Sequence, residues 1–540
     1  MPPTNKQKEK ETDPTLEEEH LTDSEGEEHD DQHDIENQPS TSTSQKKKKK
    51  KKSKAKQKNE IPDEVVEAVM DRVKNDESVT SQMEVNAENI RQVLQHLKIM
   101  DVVKGKAGPG GINKKDIGEH KFWATQPVPQ LGEGPPLEEG YIEPPKSHDE
   151  IRQEPYPLPK EFEWATLDIN DPSQNKEVYD LLSLNYVEDD NAAFRFNYSS
   201  EFLAWALKPP GYHKEWHIGV RVASNKKLVA FISGVPMSLR VRERTIQVSE
   251  INYLCVHKKL RSKRLAPVLI KEVTRRVNLK GIFQAIYTAG VVIPTPVTIC
   301  RYYHRSLNVP KLIDTHFSYV PRNMTLARLI RTNKLESKTS LPGLREMEDK
   351  DIEAVSVLFA NYMKRFEMVP IYDIEEMRHQ LISGRGEGEI GADGPGRRRG
   401  QVTWSYVVED SNGNITDFFS FYSLPSTVIN NPKYSTLEAA YLYYYATTVG
   451  FKRGLEHEEE LKMRLMSLIG DALIIANEAK FDVFNALTLM DNVPIFSELK
   501  FGVGDGFLNF YLYNWRTASL AGMSAEGNVP AGRGVGVVML

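Results

Sequence analysis

Residues 250–277 show three successive patterns of apolar and polar positions. Residues 250–257 form a short run rich in β-branched and aromatic side chains, followed by lysines, which predicts a buried strand. Residues 258–265 contain five cations and no acid, which predicts an exposed loop. Residues 266–277 carry apolar side chains at the spacing of one helical face, namely Leu269, Ile270, Val273 and Val277.

A strand, a basic loop and a helix N-terminus in this order predict an anion-binding site. Backbone N–H groups and the positive end of the helix dipole point at a bound phosphate. Four side chains of the loop add donors: Arg261, Ser262, Lys263 and Arg264. On spacing alone, a solvated basic turn remains an open alternative.

Two further stretches predict hairpins. Residues 216–236 and 404–425 each begin at Trp and end at Pro after a similar span, and Asn412-Gly413 is a strong turn signal in the second. Residues 178–187 have helical spacing. We interpret the two hairpins as the trace of a weak internal duplication.

The chain of 540 residues is long enough for two or three domains, and its 39% hydrophobic residues can form substantial cores. The net charge of −6 hides a segregated N-terminus, acidic over residues 10–37 and all lysine over residues 46–52. With few aliphatic residues and no aromatic residue before Ile61, residues 1–60 are predicted to be a disordered tail. Residues 61–118 are predicted to be a partly helical linker.

Several classes of protein and site are disfavoured by composition. Cys255 and Cys300 are the only cysteines, which excludes a disulfide framework, and no His/Cys/Asp spacing supports a zinc site, so no metal is expected. Without a secretory segment or an apolar run near 18 residues, we expect a cytosolic protein. A chain that begins Met-Pro is not expected to carry an N-myristoyl group itself.

Two strings, EINYLCVHK at residues 250–258 and KFGVGDG at residues 500–506, resemble the signatures of N-myristoyltransferases. The resemblance extends with gaps from about residue 120 to residue 540, and the last residues look most like those of fungal members. It implies an α/β fold of two pseudo-symmetric acyl-CoA N-acyltransferase (GNAT)-like domains in one saddle-shaped catalytic core. The implied halves are residues 119–335, which bind acyl-CoA, and residues 336–540, which bind peptide.

The resemblance also implies the activity, a transfer of myristate from myristoyl-CoA to an N-terminal glycine amine by direct attack on the thioester. Myristoyl-CoA is then a co-substrate, and no permanently bound cofactor is expected. Contacts to acyl-CoA are implied for His120, Lys121, Phe122, Trp123, Tyr253, Leu254, Cys255, Val256, Ser262, Lys263, Arg264, Leu265 and Ala266.

Five residues are candidates for catalysis. The resemblance assigns the oxyanion hole to the backbone N–H groups of Tyr253 and Leu254, and the substrate ammonium to Asn252 and Thr288. It assigns the general base to the terminal carboxylate of Leu540. The last seven residues, 534–540, are apolar, which favours a buried chain end, and partial desolvation would raise the pKa of that carboxylate.

The resemblance implies peptide contacts for Tyr186, Asp189, Asp190, Tyr302, His304 and Asp505. Some relatives have a third acid where this chain has Asn191, which weakens the acidic cluster. A solvated loop is the plain alternative for that cluster. Residues 383–400, rich in Gly and nearly free of apolar side chains, are predicted to be a disordered surface insertion.

Other functions remain open. Cys255 as a nucleophile would need a base, and His257 follows two residues later on the same strand. An N-acetyltransferase of the wider superfamily would share the basic loop but need no long apolar groove. The lysine run is compatible with RNA or acidic lipid, with a nuclear signal, or with a solvated tail, and the resemblance favours ribosome contact near nascent chains. No DNA partner is expected, and the family suggests a monomer.

Overall fold

The computed structural model describes residues 121–130, 133–134, 136–189, 192–452, 454–522 and 534–540, with the side chains of residues 262 and 455 left out. The predictions for residues 1–60 and 61–118 lie outside these ranges. None of the described helices is both long enough and apolar enough to cross a membrane.

The described residues form strands and helices in mixed order. The strands are β1 Phe162–Thr166, β2 Phe194–Phe196, β3 His217–Val222, β4 Leu228–Val241, β5 Arg244–Val256, β6 Gln284–Ala289, β7 Thr298–Ser306, β8 Leu344–Glu346, β9 Met368–Ile371, β10 Thr403–Glu409, β11 Ile415–Ser423, β12 Ser426–Val428, β13 Thr436–Leu437, β14 Ala439–Thr447, β15 Val483–Leu487 and β16 Gly502–Tyr513. The helices are α1 Pro172–Asn185, α2 Ser200–Leu207, α3 Leu265–Asn278, α4 Val309–Asp314, α5 Leu326–Asn333, α6 Ile352–Met363, α7 Ile374–Arg378, α8 Leu455–Glu478 and α9 Val493–Phe496.

Within the described ranges, thirteen strands join in one sheet, and the two halves of this sheet have the same connectivity when each is followed from its outer edge inward. It runs β1-β3-β4-β5-β6-β16 and then β7-β15-β14-β11-β10-β8, with β9 pairing β4 outside this path. Each half contains one parallel pair, β5 with β6 and β14 with β15, and a helix follows the first strand of each pair. The predicted α/β fold with two pseudo-symmetric halves is confirmed.

The two halves exchange their last strands. β6 pairs with β16 from the end of the chain, whereas β7, which follows β6 in sequence, pairs with β15. β7 and β16 then pair with each other at the centre of the sheet. This exchange was not predicted, because it depends on pairing between strands about two hundred residues apart.

Both predicted hairpins are present, as β3–β4 and β10–β11. Pro236 does not end β4, which continues to Val241 and forms a second hairpin with β5. Pro236 is tolerated because it lies beyond the β3 pairing, which ends at Ser233, and before the β9 pairing, which begins at Ser238. The edge of β4 is therefore unpaired there, and a residue without an N–H costs no ladder hydrogen bond.

Helix α3 buries the face that its sequence predicts. Leu269, Val273 and Val277 are at most 4% exposed and pack with β3 and β4 in one apolar cluster. Burying a side chain of this size contributes about 1.5–3 kcal/mol. The packed face fixes the direction of α3 and so fixes where its N-terminus points.

Residues 383–400, predicted to be disordered, are held in place in the structure. The Arg397 guanidinium donates to the Ala479 carbonyl at 2.7 Å, lies 2.9 Å from the Glu438 carboxylate and stacks on Phe481 at 4.3 Å. Arg398 forms two hydrogen bonds with Glu346 at 2.5 and 2.6 Å. The prediction was wrong because the polar side chains of this segment find partners on the folded half, which its composition does not reveal.

Candidate active site

The sheet opens where β5 and β6 separate. Their parallel pairing runs from Val248 opposite Gln284 to Ile251 opposite Tyr287, and both strands continue beyond the last pair. Ligands in open α/β sheets bind at the carboxyl ends of strands where neighbouring strands part. The opening between β5 and β6 is therefore the first candidate for a site.

A β-bulge lies at this opening. Phe231 faces Cys255 and Ser233 faces Asn252, so two residues of β5, Tyr253 and Leu254, stand opposite Ile232 alone. A bulge leaves its extra residue outside the hydrogen-bond ladder. Tyr253 has φ +57°, a left-handed conformation that costs a non-glycine residue about 1–3 kcal/mol. This strained residue lies within the EINYLCVHK string.

Tyr186 lies against the bulge, with its ring centroid 6.2 Å from that of Tyr253. Its phenol oxygen accepts a hydrogen bond from the Tyr253 main-chain N–H. Burial nevertheless raises the pKa of the Tyr186 phenol, so this oxygen stays neutral. A neutral oxygen thus faces a backbone donor of the bulge.

The basic loop connects the bulge to helix α3. Lys258–Lys263 form a 3-10 turn, and Arg264 then adopts φ +57° before α3 begins. Among the described groups, no side chain caps the α3 N-terminus and no acid lies in its first turn. Lys263 and Arg264 are exposed beside it, whereas Lys258 is paired with Glu188 at 2.5 Å. The predicted strand, basic segment and helix are present, whereas anion binding there stays a prediction, and the Ser262 side chain lies outside the described set.

Aromatic rings line the β6 side of the opening. Trp123 stacks on Tyr287 at 5.6 Å, and Tyr287 stacks on Tyr511 at 5.1 Å. Phe122 packs edge-on against Trp123, and Lys121 is exposed. The structure therefore brings the segment around Trp123 to the opening, and His120 lies outside the described residues.

Asn252 and Thr288 are the residues that follow the last parallel pair, and both are half-buried. The Asn252 amide donates to the Glu250 carboxylate at 2.7 Å. Burial raises the pKa of Glu250 to about 7, while hydrogen bonds from the Asn252 side chain and the Leu540 main chain oppose that rise. Glu250 lies within the EINYLCVHK string but was given no role from sequence, although an acid in a run of buried strand residues was the available signal.

Residues 534–540 run through the interior. The Val535 carbonyl accepts from Met490 N–H at 2.9 Å, and Gly536 donates to the Met368 carbonyl at 2.8 Å. A Cβ on Gly536 would lie 2.8 Å from Val369, so the path leaves no room for a side chain there. The prediction that the apolar end is buried is confirmed.

The end of this segment reaches the opening. Val538 donates its N–H to the Tyr444 hydroxyl at 3.1 Å, and Leu540 donates its N–H to Glu250. Leu540 and Glu250 line one cleft together with Tyr372 and Tyr443. The structure thus brings together Leu540 and Asn252, which are 288 residues apart in the chain.

A second bulge carries the KFGVGDG string. Val503 faces Tyr303 and Phe507 faces Arg301, so three residues of β16, Gly504, Asp505 and Gly506, stand opposite Tyr302. A Cβ on Gly504 would lie 2.4 Å from the His304 ring. Glycine is therefore required for this close approach, which brings Tyr302, His304 and Asp505 near one another.

His304 is held in a defined orientation by Asn485, whose Oδ1 lies 2.7 Å from its Nδ1. Burial lowers the pKa of the His304 ring, while the Asn485 contact and the Asp505 charge oppose that shift. The ring is therefore neutral near pH 7 and is available for hydrogen bonding rather than for charge pairing.

The acidic loop before β2 is mostly engaged with its own chain. Asp189 is exposed, and one of its carboxylate oxygens accepts from Phe194 N–H at 2.7 Å. Glu188 pairs with Arg195 and Lys258. Asp190 lies outside the described residues, so Asp189 is the acid of this pair that the structure places.

Cys255 is buried beside the bulge, and burial raises the pKa of its thiol to about 12. Near pH 7 only about one thiol in 10⁵ would then be ionised. The covalent alternative therefore lacks a usable nucleophile. His257 does not relieve this, since its Nδ1 accepts from the Lys259 main chain at 3.3 Å.

Two family models match this chain. Residues 141–300 match the N-terminal domain of myristoyl-CoA:protein N-myristoyltransferase, and residues 314–538 match its C-terminal domain. Glycylpeptide N-tetradecanoyltransferase from Emericella nidulans is 52% identical, with 83% of this chain and 90% of that protein covered. The enzyme of the same name from Saccharomyces cerevisiae is 50% identical, with 79% of this chain and 93% of that protein covered.

A solved structure is also similar. The crystal structure of Saccharomyces cerevisiae N-myristoyltransferase with bound myristoyl-CoA superposes with a TM-score of 0.74 at 50% identity. The match covers 78% of this chain and 99% of that one.

Proposed function

This chain belongs to the N-myristoyltransferase family, and from that membership we propose that it transfers myristate from myristoyl-CoA to the N-terminal glycine amine of proteins. The strained bulge at Tyr253 and Leu254 is the observation that carries this proposal. It lies between a basic helix N-terminus on one side and the Asn252–Thr288 pair on the other. An acyl transfer from CoA to an amine requires this order of groups.

The α3 N-terminus, with Lys263 and Arg264 beside it, would hold the phosphates of CoA. The thioester would lie along the bulge. The main-chain N–H groups of Tyr253 and Leu254 would stabilise its oxygen as charge develops, and such a donor contributes about 3–4 kcal/mol.

The amine would be held by Asn252 and Thr288. It must lose a proton before it attacks, since an N-terminal ammonium has a pKa of about 7.7–8.0. The terminal carboxylate of Leu540 would accept that proton. The amine nitrogen would then bond to the thioester carbon, and the carbon–sulfur bond would break. As the amide forms, the nitrogen would lose a second proton, and the departing CoA thiolate would take one up.

The peptide would extend away from its amine toward the second bulge, where Tyr302, His304 and Asp505 meet. The exposed Asp505 carboxylate is suited to a cation of the peptide. A glycine requirement has a physical basis, because a Cβ next to the attacking nitrogen would clash in a narrow pocket.

Acyl transfer to a synthetic peptide tests the proposal. With myristoyl-CoA, we expect rapid transfer to a peptide that starts with Gly and none to the same peptide starting with Ala. Acetyl-CoA should be a poor donor, which separates this activity from that of an N-acetyltransferase. No transfer from myristoyl-CoA to any Gly peptide would refute the proposal.

A further inference from the structure

Glu250 joins two parts of the site that the sequence separates. Its carboxylate accepts a hydrogen bond from the Asn252 amide at 2.7 Å and another from the Leu540 main-chain N–H. The side chain belongs to a residue that is only 7% exposed, so both contacts lie away from bulk water. Hydrogen bonds to a charged group in such surroundings are stronger and more directional than those between neutral groups.

The fold itself does not require an acid at this position. By strand register, Glu250 faces Ile286 in the first half, and its counterpart in the second half is Ala440, which faces Phe484. β14 has its own bulge, in which Tyr443 and Tyr444 stand opposite Ser420, and Ala440 precedes it by three residues as Glu250 precedes the bulge of β5. Burying a carboxyl group where alanine suffices is costly, which indicates a role other than support of the sheet.

We infer that Glu250 is a positioning residue, whose carboxylate fixes the Leu540 end of the chain and the Asn252 amide relative to each other. This inference rests on the proposed function, in which Leu540 takes the proton and Asn252 holds the amine. The Glu250 carboxylate then fixes the distance between the amine held by Asn252 and the Leu540 carboxylate that takes its proton. Its loss would leave acyl-CoA binding unchanged and would slow the chemical step.

The surroundings of Glu250 make this role sensitive to pH. The groups that face it are the phenols of Tyr253, Tyr372, Tyr443 and Tyr444, and Leu540 and Glu376 line the same cleft. Burial raises the pKa values of all four phenols, so they stay neutral. With a pKa of about 7, Glu250 becomes ionised as the pH rises through neutrality, and its ionised form accepts both hydrogen bonds.

Single-turnover transfer from enzyme preloaded with myristoyl-CoA tests this role. We expect Glu250→Ala to slow transfer by about tenfold to a hundredfold, the usual effect of losing a hydrogen bond to a charged group. Its Kd for myristoyl-CoA should stay within about twofold of the unaltered chain. Glu250→Gln, which keeps the shape and one acceptor, should lose less rate but should lack the inflection near pH 7 in the pH–rate profile.

Glu243→Gln is the matched control, because Glu243 is an exposed acid between β4 and β5 that contacts neither Leu540 nor Asn252 in the described structure. It should behave like the unaltered chain, and thermal melting should show all three variants folded. Unchanged rate and pH profile in both Glu250 variants would overturn the positioning role. A rate loss matched by lost acyl-CoA binding would overturn it as well, whereas no transfer by the unaltered chain would instead refute the proposed function.

Discussion

The two bulges that precede the openings of the sheet share one register but differ in chemistry. In β5, Tyr253 and Leu254 face Ile232, and in β14, Tyr443 and Tyr444 face Ser420. Tyr253 is forced into a left-handed conformation, whereas neither bulge residue of β14 is among the described residues with positive φ. Under the proposed function the β5 bulge would offer main-chain groups to a ligand, whereas the β14 bulge uses the Tyr444 hydroxyl to anchor Val538.

Several residues around the β5 bulge are polar, whereas those at the matching positions around the β14 bulge are apolar. Glu250, Asn252 and Thr288 of the first half correspond by register to Ala440, Leu442 and Ala486 of the second. The charge at the start of the following helix also differs in sign between the two halves. Helix α3 begins after a basic turn, whereas the first turn of α8 carries Glu456 and Glu458. Two copies of one unit thus keep their hydrogen-bond ladder, and only one keeps the polar groups and positive charge that an acyl-CoA would need.

The largest effect on transfer is expected when the opening between β5 and β6 is given the residues of the opening between β14 and β15. Asn252→Leu combined with Thr288→Ala copies Leu442 and Ala486. Because two hydrogen bonds to the ammonium are lost, we expect single-turnover transfer to fall by about 10²–10⁴-fold, with the Kd for myristoyl-CoA unchanged. Thr288→Ser keeps the hydroxyl and should stay near the unaltered rate. A double variant that retains its rate would show that the polar pair does not hold the amine.

Removing Leu540 tests whether the second half supplies the base. The new terminal carboxylate at Met539 would fall one residue short, so we expect transfer to slow by about a hundredfold or more, the usual contribution of a general base. Leu540→Met keeps the carboxylate in place and serves as the control. Equal rates for the shortened and full chains would move the base elsewhere.

Two substitutions of Arg264 distinguish the effect of its charge from the effect of its backbone conformation at the start of α3. Arg264→Ala and Arg264→Gly both lose one cation and should weaken CoA binding severalfold. Because Arg264 has φ +57°, only glycine relieves the strain, by about 1 kcal/mol, and Arg264→Gly should therefore have the higher Tm. The second half already has Gly454 before α8, at φ +123°. Equal Tm values would show that the conformation costs nothing here.

The smallest expected effect is a pH-dependent difference in Tm between Glu250→Gln and the unaltered chain. Burial raises the pKa of Glu250 from its ordinary 4.5 to about 7, so the stability that its neutral form contributes is present below pH 4.5 and is lost as the pH rises through 7. Glu250→Gln does not titrate. We therefore expect its Tm, relative to that of the unaltered chain, to rise by a few degrees between pH 5 and pH 8. A constant difference in calorimetric Tm would contradict the pKa shift.

What could be predicted from the sequence was local. The strand, basic turn and helix of residues 250–277 follow from periodicity and charge within a short window, and the two family strings coincide with the bulges of β5 and β16. The strand exchange and the order of residues 383–400 depend on partners far along the chain, such as Glu438 and Phe481 for Arg397. Glu250 was missed for the same reason, because its partner Leu540 is brought to it only by the fold.

The exchanged strands also bear on the order in which the chain is made. Ala289 on β6 pairs with Asn509 on β16, 220 residues later. At about 5–20 residues per second, a ribosome needs on the order of ten to forty seconds to supply that partner. During this interval the inner edge of the first half is an open strand edge, which favours pairing with other chains. The half that contains β5 and β6 is therefore encoded first but completed last, and the enzyme cannot complete this sheet until its own synthesis is nearly finished.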